Sequence, residues 1–358
     1  MSANCIESDT EIESWQKPTT NENETRSSDQ QRALDRELLI ASREFAVDRP
    51  LQSWWHLTST MCAVLFFAAV AGLGQAVWLR SLASILTGLT LVRMFILYHD
   101  YQHNTILTRS KLAKVILNVY GNLMLTPPSA WKHSHDHHHH HNSKLFGTDI
   151  GSFPIMTSEN YRKASLLDRL SYRIARNPLV ILMGYFPVFL YGMCIHTAHR
   201  DPRRHWDAFT SMLLHFGFIA ACWWFTGWVT TAFVFLLPAW IATCIGTYLF
   251  YIQHNFPDAK IRDGDEWSYT HAALQSSSLL EMGPVMHWMT GNIGYHHVHH
   301  LNSKIPFYRL PEAMKALEPL QQPKKTSLKI RDIIDCLQLK FWDEEQDRLI
   351  TYAEFKAL

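Results

Sequence analysis

Long apolar runs dominate the middle of this sequence and indicate its fold class. One run covers residues 57–79, and a second covers residues 82–98 after a short turn. Further apolar runs cover residues 179–195, 208–225 and 229–252. Because about 20 apolar residues of helix cross the hydrocarbon core of a bilayer, the pattern predicts an all-α integral membrane protein.

The shortest run, residues 179–195, is expected to lie along the membrane surface rather than to cross the membrane. It begins after Pro178, contains Pro187 and is flanked by charged residues, which suits an interfacial helical segment. The other runs predict four transmembrane helices in two hairpins, covering residues 57–79, 82–100, 208–226 and 229–252. The polar segments between and after the hairpins would then form a cap on one side of the membrane.

Basic residues predict which side that cap faces. The N-terminal tail and residues 100–206 are rich in Lys and Arg, whereas the two tight turns contain only Arg80. Because positively charged loops stay in the cytoplasm, the N-terminus and the cap are predicted to be cytoplasmic. Arg93 lies inside the second run, where a lone charge is costly, so we predict a structural ion pair for it.

The tail and the overall composition narrow the class further. Residues 1–48 are polar and acidic and are expected to be a disordered tail, which leaves residues 49–355 as one membrane domain. The net charge is +1, and neither a basic face nor a phosphate-binding loop indicates nucleic-acid binding. Six cysteines without a CxxC pair argue against a disulfide framework or a zinc ribbon.

Three histidine clusters carry the chemistry of the polar segments. His99 and His103 are four positions apart, so on a helix both imidazoles share one face. The second cluster lies in residues 131–142, WKHSHDHHHHHN, and the third in residues 295–302, YHHVHHLN. Both contain the pattern HxxHH, in which the first and last histidines share a helical face and the middle one is offset by about 100°. Each HxxHH helix can therefore supply two adjacent metal ions.

The pattern disfavours simpler explanations of the clusters. Residues 137–141 alone could be a metal-scavenging tract, but such a tract would not account for the other two clusters. A metal transporter or sensor would need polar residues inside the spanning helices, where Arg93 is nearly alone. Neutral imidazoles without nearby cysteines suit iron, zinc, copper or nickel rather than an iron–sulfur cluster. Four crossings would keep all three clusters on one face, where they can share a metal site.

The clusters and their surroundings resemble a known family. The order HxxxH, HxxHH, HxxHH with two helical hairpins resembles the membrane fatty-acid desaturase superfamily. Within it, the likeness is closest to bacterial-type acyl-lipid delta-12 (omega-6) desaturases and covers about residues 50–355. The segments that carry the likeness are LYHDYQHNTIL, TPPSAWKHSHDHHHHHN, RIARNPLVILMGYFPVFL, FYIQHNFPDA and TGNIGYHHVHHLNSKIPFYRLPEA.

The second cluster allows several choices of frame, since His133 and residues 137–141 crowd the same few turns. The resemblance favours the frame whose neighbours are Trp131 upstream and Asn142 downstream, because the family has a tryptophan and a polar residue at these places. That frame consists of His135, His138 and His139.

The resemblance also implies the complete metal site. The family has one more histidine after the last spanning helix, which His254 matches. The implied ligands of two iron ions are His99, His103, His135, His138, His139, His254, His296, His299 and His300. Side chains next to them in sequence could orient the imidazoles by hydrogen bonds; these are Asp100, Asp136, Asn142 and Asn302.

By the same resemblance, the chain is expected to be an oxidoreductase that uses dioxygen to introduce a cis double bond into a fatty-acyl chain. A lipid or alkyl hydroxylase on the same di-iron scaffold is the alternative. Electrons are expected from an external donor, a ferredoxin or cytochrome b5 with its reductase, because the sequence has no haem-binding HPGG motif, cysteine cluster or dinucleotide fingerprint. The implied location is a membrane, in the first place a bacterial inner membrane.

Overall fold

The computed structural model of the protein describes residues 22–145, 151–262, 264 and 267–358, with side chains from residue 32 onward. The helices before the middle of the chain are α1 (Glu22–Ser42), α2 (Pro50–Leu73), α3 (Val77–Gln102), α4 (Lys111–Leu123), α5 (Pro128–His141), α6 (Ser158–Lys163), α7 (Leu166–Ala175) and α8 (Pro178–Leu182). A π-helix (Tyr185–His196) follows, and then α9 (Thr197–Arg200), α10 (Trp206–Thr231), a second π-helical turn (Ala232–Leu236) and α11 (Leu237–Ile252).

The rest of the chain is built from short elements. Its helices are α12 (Tyr269–Gln275), α13 (Pro284–Met289), α14 (His296–Leu301), α15 (Leu310–Ala316), α16 (Ile330–Gln338) and α17 (Tyr352–Ala357), with 3₁₀ turns at Phe307–Arg309 and Glu318–Leu320. The strands are β1 (Met156–Thr157), β2 (Leu279–Glu281), β3 (Lys325–Ser327), β4 (Leu339–Asp343) and β5 (Arg348–Thr351). β1 and β5 flank β4, parallel and antiparallel respectively, and β2 pairs in parallel with β3.

Helix α3 is the centre of the apolar part and packs against both α2 and α11. In its apolar window 67% of the residues are buried, against 17% in the window of α2. Gly88 allows the close approach of α3 to α11, because a Cβ at this position would lie 2.8 Å from the side chain of Ile241. The exposed apolar side chains of α2, such as Leu65 and Phe66, are those expected to face lipid.

Within the described part of the chain, three helical segments are long and apolar enough to span a membrane: Pro50–Leu73, Val77–Gln102 and Trp206–Ile252. The third is 47 residues long and is broken at Gly227, whose φ of 78° lies in the left-handed region. Beyond this break the chain folds back, since the Phe235 ring lies 4.8 Å from that of Phe218 and 5.3 Å from that of His215. The segment is therefore a hairpin, and its crossing of the membrane twice remains a prediction.

The first hairpin begins and turns earlier than the sequence predicted. Helix α2 starts at Pro50 rather than residue 57, because a proline at the first helical position needs no hydrogen-bond acceptor for its nitrogen. It ends before Gly74, whose extended backbone caps the helix, so the turn lies at residues 74–76 rather than at residues 80–81. Trp78 consequently belongs to α3 and not to the end of the first helix.

The N-terminal segment also differs from the predicted disordered tail. Residues 1–21 lie outside the described part, but Glu22–Ser42 form α1. Leu38 of this helix is 8% exposed, and Ser42 accepts a hydrogen bond from Asn302 at 2.9 Å. The end of the segment is therefore packed against the part of the chain that carries the third histidine cluster.

The apolar run over residues 179–195 is divided between α8 and the first π-helix. Several of its side chains point outward, and Phe186 and Tyr191 are 60% and 58% exposed. An exposed apolar surface on a segment too short to cross a bilayer suits the predicted interfacial position, which remains a prediction.

The segment after α11 folds over the ends of α3 and α11. Asp100 at the end of α3 accepts a hydrogen bond from the backbone N–H of Phe307 at 2.7 Å, and Gln253 donates to the carbonyl of Ile293 at 2.8 Å. The C-terminal hairpin β4–β5 is tied to this region by Asp347, which pairs with Lys260 and Arg262 at 2.7 and 2.5 Å. These contacts hold the segment after α11, called the cap below, over the ends of these helices; a cytoplasmic cap remains a prediction.

Single cysteines test the predicted topology. With the native cysteines replaced, we expect cysteines at the exposed positions Ser171 and Arg203 to react with a membrane-impermeant reagent from the cytoplasm. A cysteine at the exposed position Thr226, next to the Gly227 break, should react only from the opposite side. Labelling of Ser171 and Arg203 from opposite faces would contradict the interfacial assignment of residues 179–195.

Candidate metal centre

Four separate segments bring the predicted ligands together. The end of α3 supplies His99 and His103, which are one helical turn apart. α5 and α14 supply the two HxxHH patterns, and His254 follows two residues after the end of α11. All nine predicted residues converge, and all but the partly buried His254 are buried.

The nine histidines form two adjoining groups. Within each group the donor nitrogens lie within 4.8 Å of one another. Group A consists of His99, His103, His135, His139 and His299, and group B of His138, His254, His296 and His300. The two groups are in direct contact, since the rings of His139 and His300 are stacked with centroids 4.3 Å apart.

Each HxxHH helix is divided between the groups in the way its spacing predicts. In α5 the first and last histidines of the pattern, His135 and His139, belong to group A and His138 to group B. In α14 the arrangement is reversed, because the middle residue, His299, joins group A. The 100° offset of the middle histidine therefore lets each helix serve both groups.

The nitrogen spacing in each group fits a metal ion. In group A, Nε2 of His135 lies 3.0 Å from Nε2 of His99 and 3.1 Å from that of His139. In group B, Nε2 of His296 lies 2.9 Å from that of His254 and 3.1 Å from that of His300. Imidazole nitrogens lie about 2.0–2.1 Å from a first-row metal ion, so two ligands at right angles are about 3.0 Å apart. The donor sets thus have the dimensions of two metal sites.

In two of the rings, the Nδ1 atom points away from the groups and contacts an oxygen atom, which leaves Nε2 available for a cation. His254 donates its Nδ1–H to the backbone carbonyl of Ser276 at 3.0 Å, and His99 directs Nδ1 to the carboxylate of Asp100 at 3.0 Å. The carbonyl of Ser276 carries no proton, so Nε2 of the neutral His254 ring is unprotonated and faces group B, and the contact with Asp100 orients His99 so that its Nε2 faces group A. The Nε2 atom of His103 is buried and has no hydrogen-bond partner among the described residues. A metal ion would satisfy these nitrogens together.

Burial keeps these imidazoles neutral, which is the form that binds metal. Burial first, and the neighbouring imidazoles second, hold the pKa of His135, His138 and His139 well below the usual histidine range. The same causes lower the pKa of the histidines of α14 that belong to the groups. Burial lowers the pKa of His254 to about 4. The histidines whose pKa is lowered are therefore uncharged at neutral pH and offer nitrogen lone pairs.

The four side chains predicted to orient the ligands behave differently. Asp100 is buried and connects His99 to the backbone of the cap. Asp136 instead pairs with Lys132 on the surface at 2.9 Å. The amide nitrogens of Asn142 and Asn302 donate to Ser277 and Ser42, respectively. Of the four, Asp100 is the one that the described hydrogen bonds connect to an imidazole of the groups.

The extra histidines of α5 face away from the groups. His140 is exposed, and its Nδ1 contacts the backbone carbonyl of Asp136 at 2.6 Å. His137 and His141 stack on each other with ring centroids 3.9 Å apart. The structure thus points the frame His135, His138 and His139 inward, the same frame that the resemblance favoured.

Other contacts had no signal in the sequence. Ser152 lies on a loop and its hydroxyl contacts Nδ1 of His138 at 2.8 Å. Among the described residues Arg93 has no ion-pair partner; it forms hydrogen bonds with Thr60 and His56, and its guanidinium lies 4.3 Å from the ring of Trp288. Both contacts depend on residues distant in sequence, so neither spacing nor hydropathy indicates them.

An apolar cavity of about 710 Å³ reaches the two groups. The cluster residues in its lining are His99 and His135 of group A and His296 of group B. Its walls come from α3, the first π-helix and α11, with Phe95, Phe189 and Phe250 as aromatic contributors. A cavity of this size is in the range that holds an extended organic ligand.

Fold and site together define a helical protein with membrane-spanning segments and a paired polyhistidine centre facing an apolar cavity. The sequence profile of the family described as "Fatty acid desaturase" matches residues 76–331. A "Fatty acid desaturase" of Bacillus subtilis (strain 168) is 31% identical over 295 residues, which are 82% of this chain and 83% of the relative. This chain belongs to the fatty acid desaturase family, and it is an oxidoreductase of the desaturase type.

Further relatives have more specific descriptions. An "sn-1 acyl-lipid omega-3 desaturase (ferredoxin)" of Nostoc sp. (strain 36) is 24% identical over 80% of this chain and 74% of its own length. An "Omega-3 fatty acid desaturase, chloroplastic" of Brassica napus is 25% identical over 76% of this chain and 69% of its own length. Both names describe desaturases, and the name of the Nostoc relative includes an acyl lipid.

Two histidines of α5 provide a matched test of the centre. Replacing His138 by Ala removes a nitrogen from group B, and we expect the loss of bound metal and of desaturation, with membrane insertion retained. His140→Ala, two residues away on the exposed face, should leave both near the wild-type level. Elemental analysis and product analysis measure the two effects. Full metal content and activity in His138→Ala would contradict the assignment.

Two aspartates that each follow a cluster histidine provide a second contrast. Asp100→Asn removes the carboxylate that fixes the ring of His99, and we expect activity or metal affinity to fall by about 10–100-fold. Asp136→Asn, which breaks a surface pair with Lys132, should have little effect. Metal titration of both purified variants measures the difference. Equal affinities would show that Asp100 does not orient a ligand.

Proposed function

We propose that the chain uses dioxygen and a histidine-bound di-iron centre to introduce a cis double bond into the acyl chain of a lipid, at the delta-12 (omega-6) position. The observation that carries the proposal is the apolar cavity that meets both histidine groups. Bound by the nine histidines, two iron ions would supply the oxidising power that no side chain has, which the removal of hydrogen from an unactivated methylene requires.

The contributions of the protein's own residues follow from their positions. The groups would hold one iron each, through His99, His103, His135, His139 and His299 in group A and through His138, His254, His296 and His300 in group B. Asp100 and the carbonyl of Ser276 keep the bonded imidazole nitrogens protonated, so that the inner nitrogens stay free to bind. The aromatic walls of the cavity exclude water and hold the chain in an extended path. Selectivity then depends on which methylene rests beside His99, His135 and His296.

The electrons for the reaction are proposed to come from an external donor, a ferredoxin or a cytochrome b5 with its reductase. The name of the Nostoc relative includes a ferredoxin, which supports the first of these. We place the histidine groups on the cytoplasmic side of a bacterial inner membrane, because the segments around them are rich in Lys and Arg. A soluble donor would reach them there.

The position of the double bond rests on motif resemblance alone. The relatives with specific names are omega-3 desaturases, so they support an acyl-lipid substrate more strongly than a particular carbon. Expression of the chain in a host lacking polyunsaturated lipids decides the point, with double bonds located by mass spectrometry. We expect a new cis double bond at the delta-12 (omega-6) position.

Other products would have distinct meanings. A new double bond at another position would contradict the delta-12 assignment and leave the desaturase function intact. A hydroxylated chain would indicate the hydroxylase that the same scaffold could support. The inactive His138→Ala variant is the control for desaturation by the host's own enzymes.

A further inference from the structure

The cavity that reaches the histidine groups also has a charged part. Arg200, Asp201 and Arg204 contribute to its lining, together with His196 and His205. Arg200 is the last residue of α9, which directly follows the first π-helix, and Asp201 and Arg204 lie on the turn after α9. A single cavity therefore joins an apolar path beside the metal centre to a rim that carries charge.

This rim lies where the apolar outer surface of the protein is interrupted. Before it, Tyr191 and Ile195 expose 58% and 44% of their surface. After it, Trp206 and Phe209 expose 65% and 52%. Charged residues between two outward-facing apolar stretches, with a tryptophan at the boundary, are expected at the depth of the lipid headgroups.

The charges of the rim leave an excess of positive charge. Arg200 forms no ion pair or hydrogen bond in the described structure, although its position lines the cavity. Arg204 donates to Nδ1 of His133 at 3.1 Å, an uncharged acceptor, so its charge is not neutralised by that contact. Asp201 accepts from the backbone N–H of Arg204. Two guanidiniums and one carboxylate give the rim a net charge of about +1 when its imidazoles are neutral.

We propose that Arg200 and Arg204 bind the phosphodiester of a membrane glycerophospholipid whose acyl chain occupies the cavity; this inference rests on the proposed function. Guanidinium groups bind phosphate oxygens through paired, charge-assisted hydrogen bonds. A single phosphodiester carries one negative charge and matches the net charge of the rim. Arg200 can turn to the phosphate without losing a side-chain hydrogen bond or ion pair to any described residue.

The observations favour a phospholipid over a thioester carrier. Coenzyme A carries several phosphate charges and approaches from water, whereas this rim has a small net charge and is bordered by the exposed apolar residues Ile195 and Trp206. Asp201 would repel a highly charged carrier. A neutral diacylglycerol would bring no negative charge to balance the two guanidinium groups.

The test measures in which class of acyl carrier a labelled fatty acid first gains a double bond in living cells. Cells that express the full chain receive a short pulse of labelled fatty acid, and phospholipids, neutral diacylglycerol and acyl thioesters are separated at successive times. We expect the first new double bonds in the phospholipid fraction. Their first appearance in acyl thioesters or in diacylglycerol would overturn the inference and leave the desaturase function standing.

Variants of the rim complete the test. The double variant Arg200→Gln/Arg204→Gln should reduce desaturated phospholipid by at least about tenfold at equal protein level and iron content. Arg203→Gln is the matched control, because Arg203 is exposed on the same turn and outside the cavity lining. It should stay within about twofold of the wild type. A double variant as active as this control would overturn the inference.

The single variant Arg200→Gln decides the matter if the double variant does not fold, since it removes no side-chain hydrogen bond or ion pair among the described residues. We expect it to lower phospholipid desaturation by at least about threefold. Activity equal to that of the Arg203→Gln control would overturn the inference. If cells that express the wild-type chain form no new double bond, the proposed function is overturned, and this inference with it.

Discussion

The convergence of nine imidazoles in two adjoining groups is the constraint on which the rest of the structure depends. Unprotonated nitrogens about 3 Å apart repel one another and have left water, so their convergence is costly unless a cation lies between them. Hydrogen bonds strengthen this constraint, because the carbonyl of Ser276 accepts the Nδ1–H of His254 and the carboxyl group of Asp100 orients the ring of His99. Bringing these nitrogens together therefore lowers the stability of the fold without a metal ion. The helices must hold the four histidine-bearing segments in fixed relative positions to achieve it.

The apolar helices meet that requirement by placing one buried helix in the middle. Helix α3 is enclosed by α2 and α11, so the ring of His99 at its end has a fixed position relative to that of His254 after α11. The cap adds the third histidine cluster, on α14. Backbone contacts hold it in place, such as the hydrogen bond from the N–H of Phe307 to Asp100. The same carboxylate thus orients a candidate ligand and anchors the segment that follows α14. The position of the ligands on the apolar helices and the position of the cap consequently depend on each other through Asp100.

Much of this arrangement follows from spacing, and the remainder depends on contacts that spacing does not determine. The i, i+4 pair His99 and His103 and the division of each HxxHH pattern follow from helical periodicity. Asp100 and Asp136 have the same place in sequence relative to a cluster histidine, but Asp136 lies on an exposed face of α5. Helix α1 was missed because its sequence is mostly polar. Of its described side chains, Leu38 and Ser42 are buried, which is too few to give a helical hydrophobic pattern. The earlier turn of the first hairpin depends on Pro50 and Gly74, which a hydropathy window averages away.

The cavity reaches the centre from one side, and this has a consequence for selectivity. Of the nine cluster histidines, His99, His135 and His296 line it, so both groups present an edge to the same apolar space. A chain in that space can approach both candidate metal positions without disturbing the ligands behind them. Gly192 and Gly246 also belong to the cavity lining, and a Cβ at Gly246 would have its nearest contact at 3.8 Å, with Phe189. Wall positions such as these can vary in size without changing the nitrogen donors, so a family can keep one centre while the carbon that it meets differs among members.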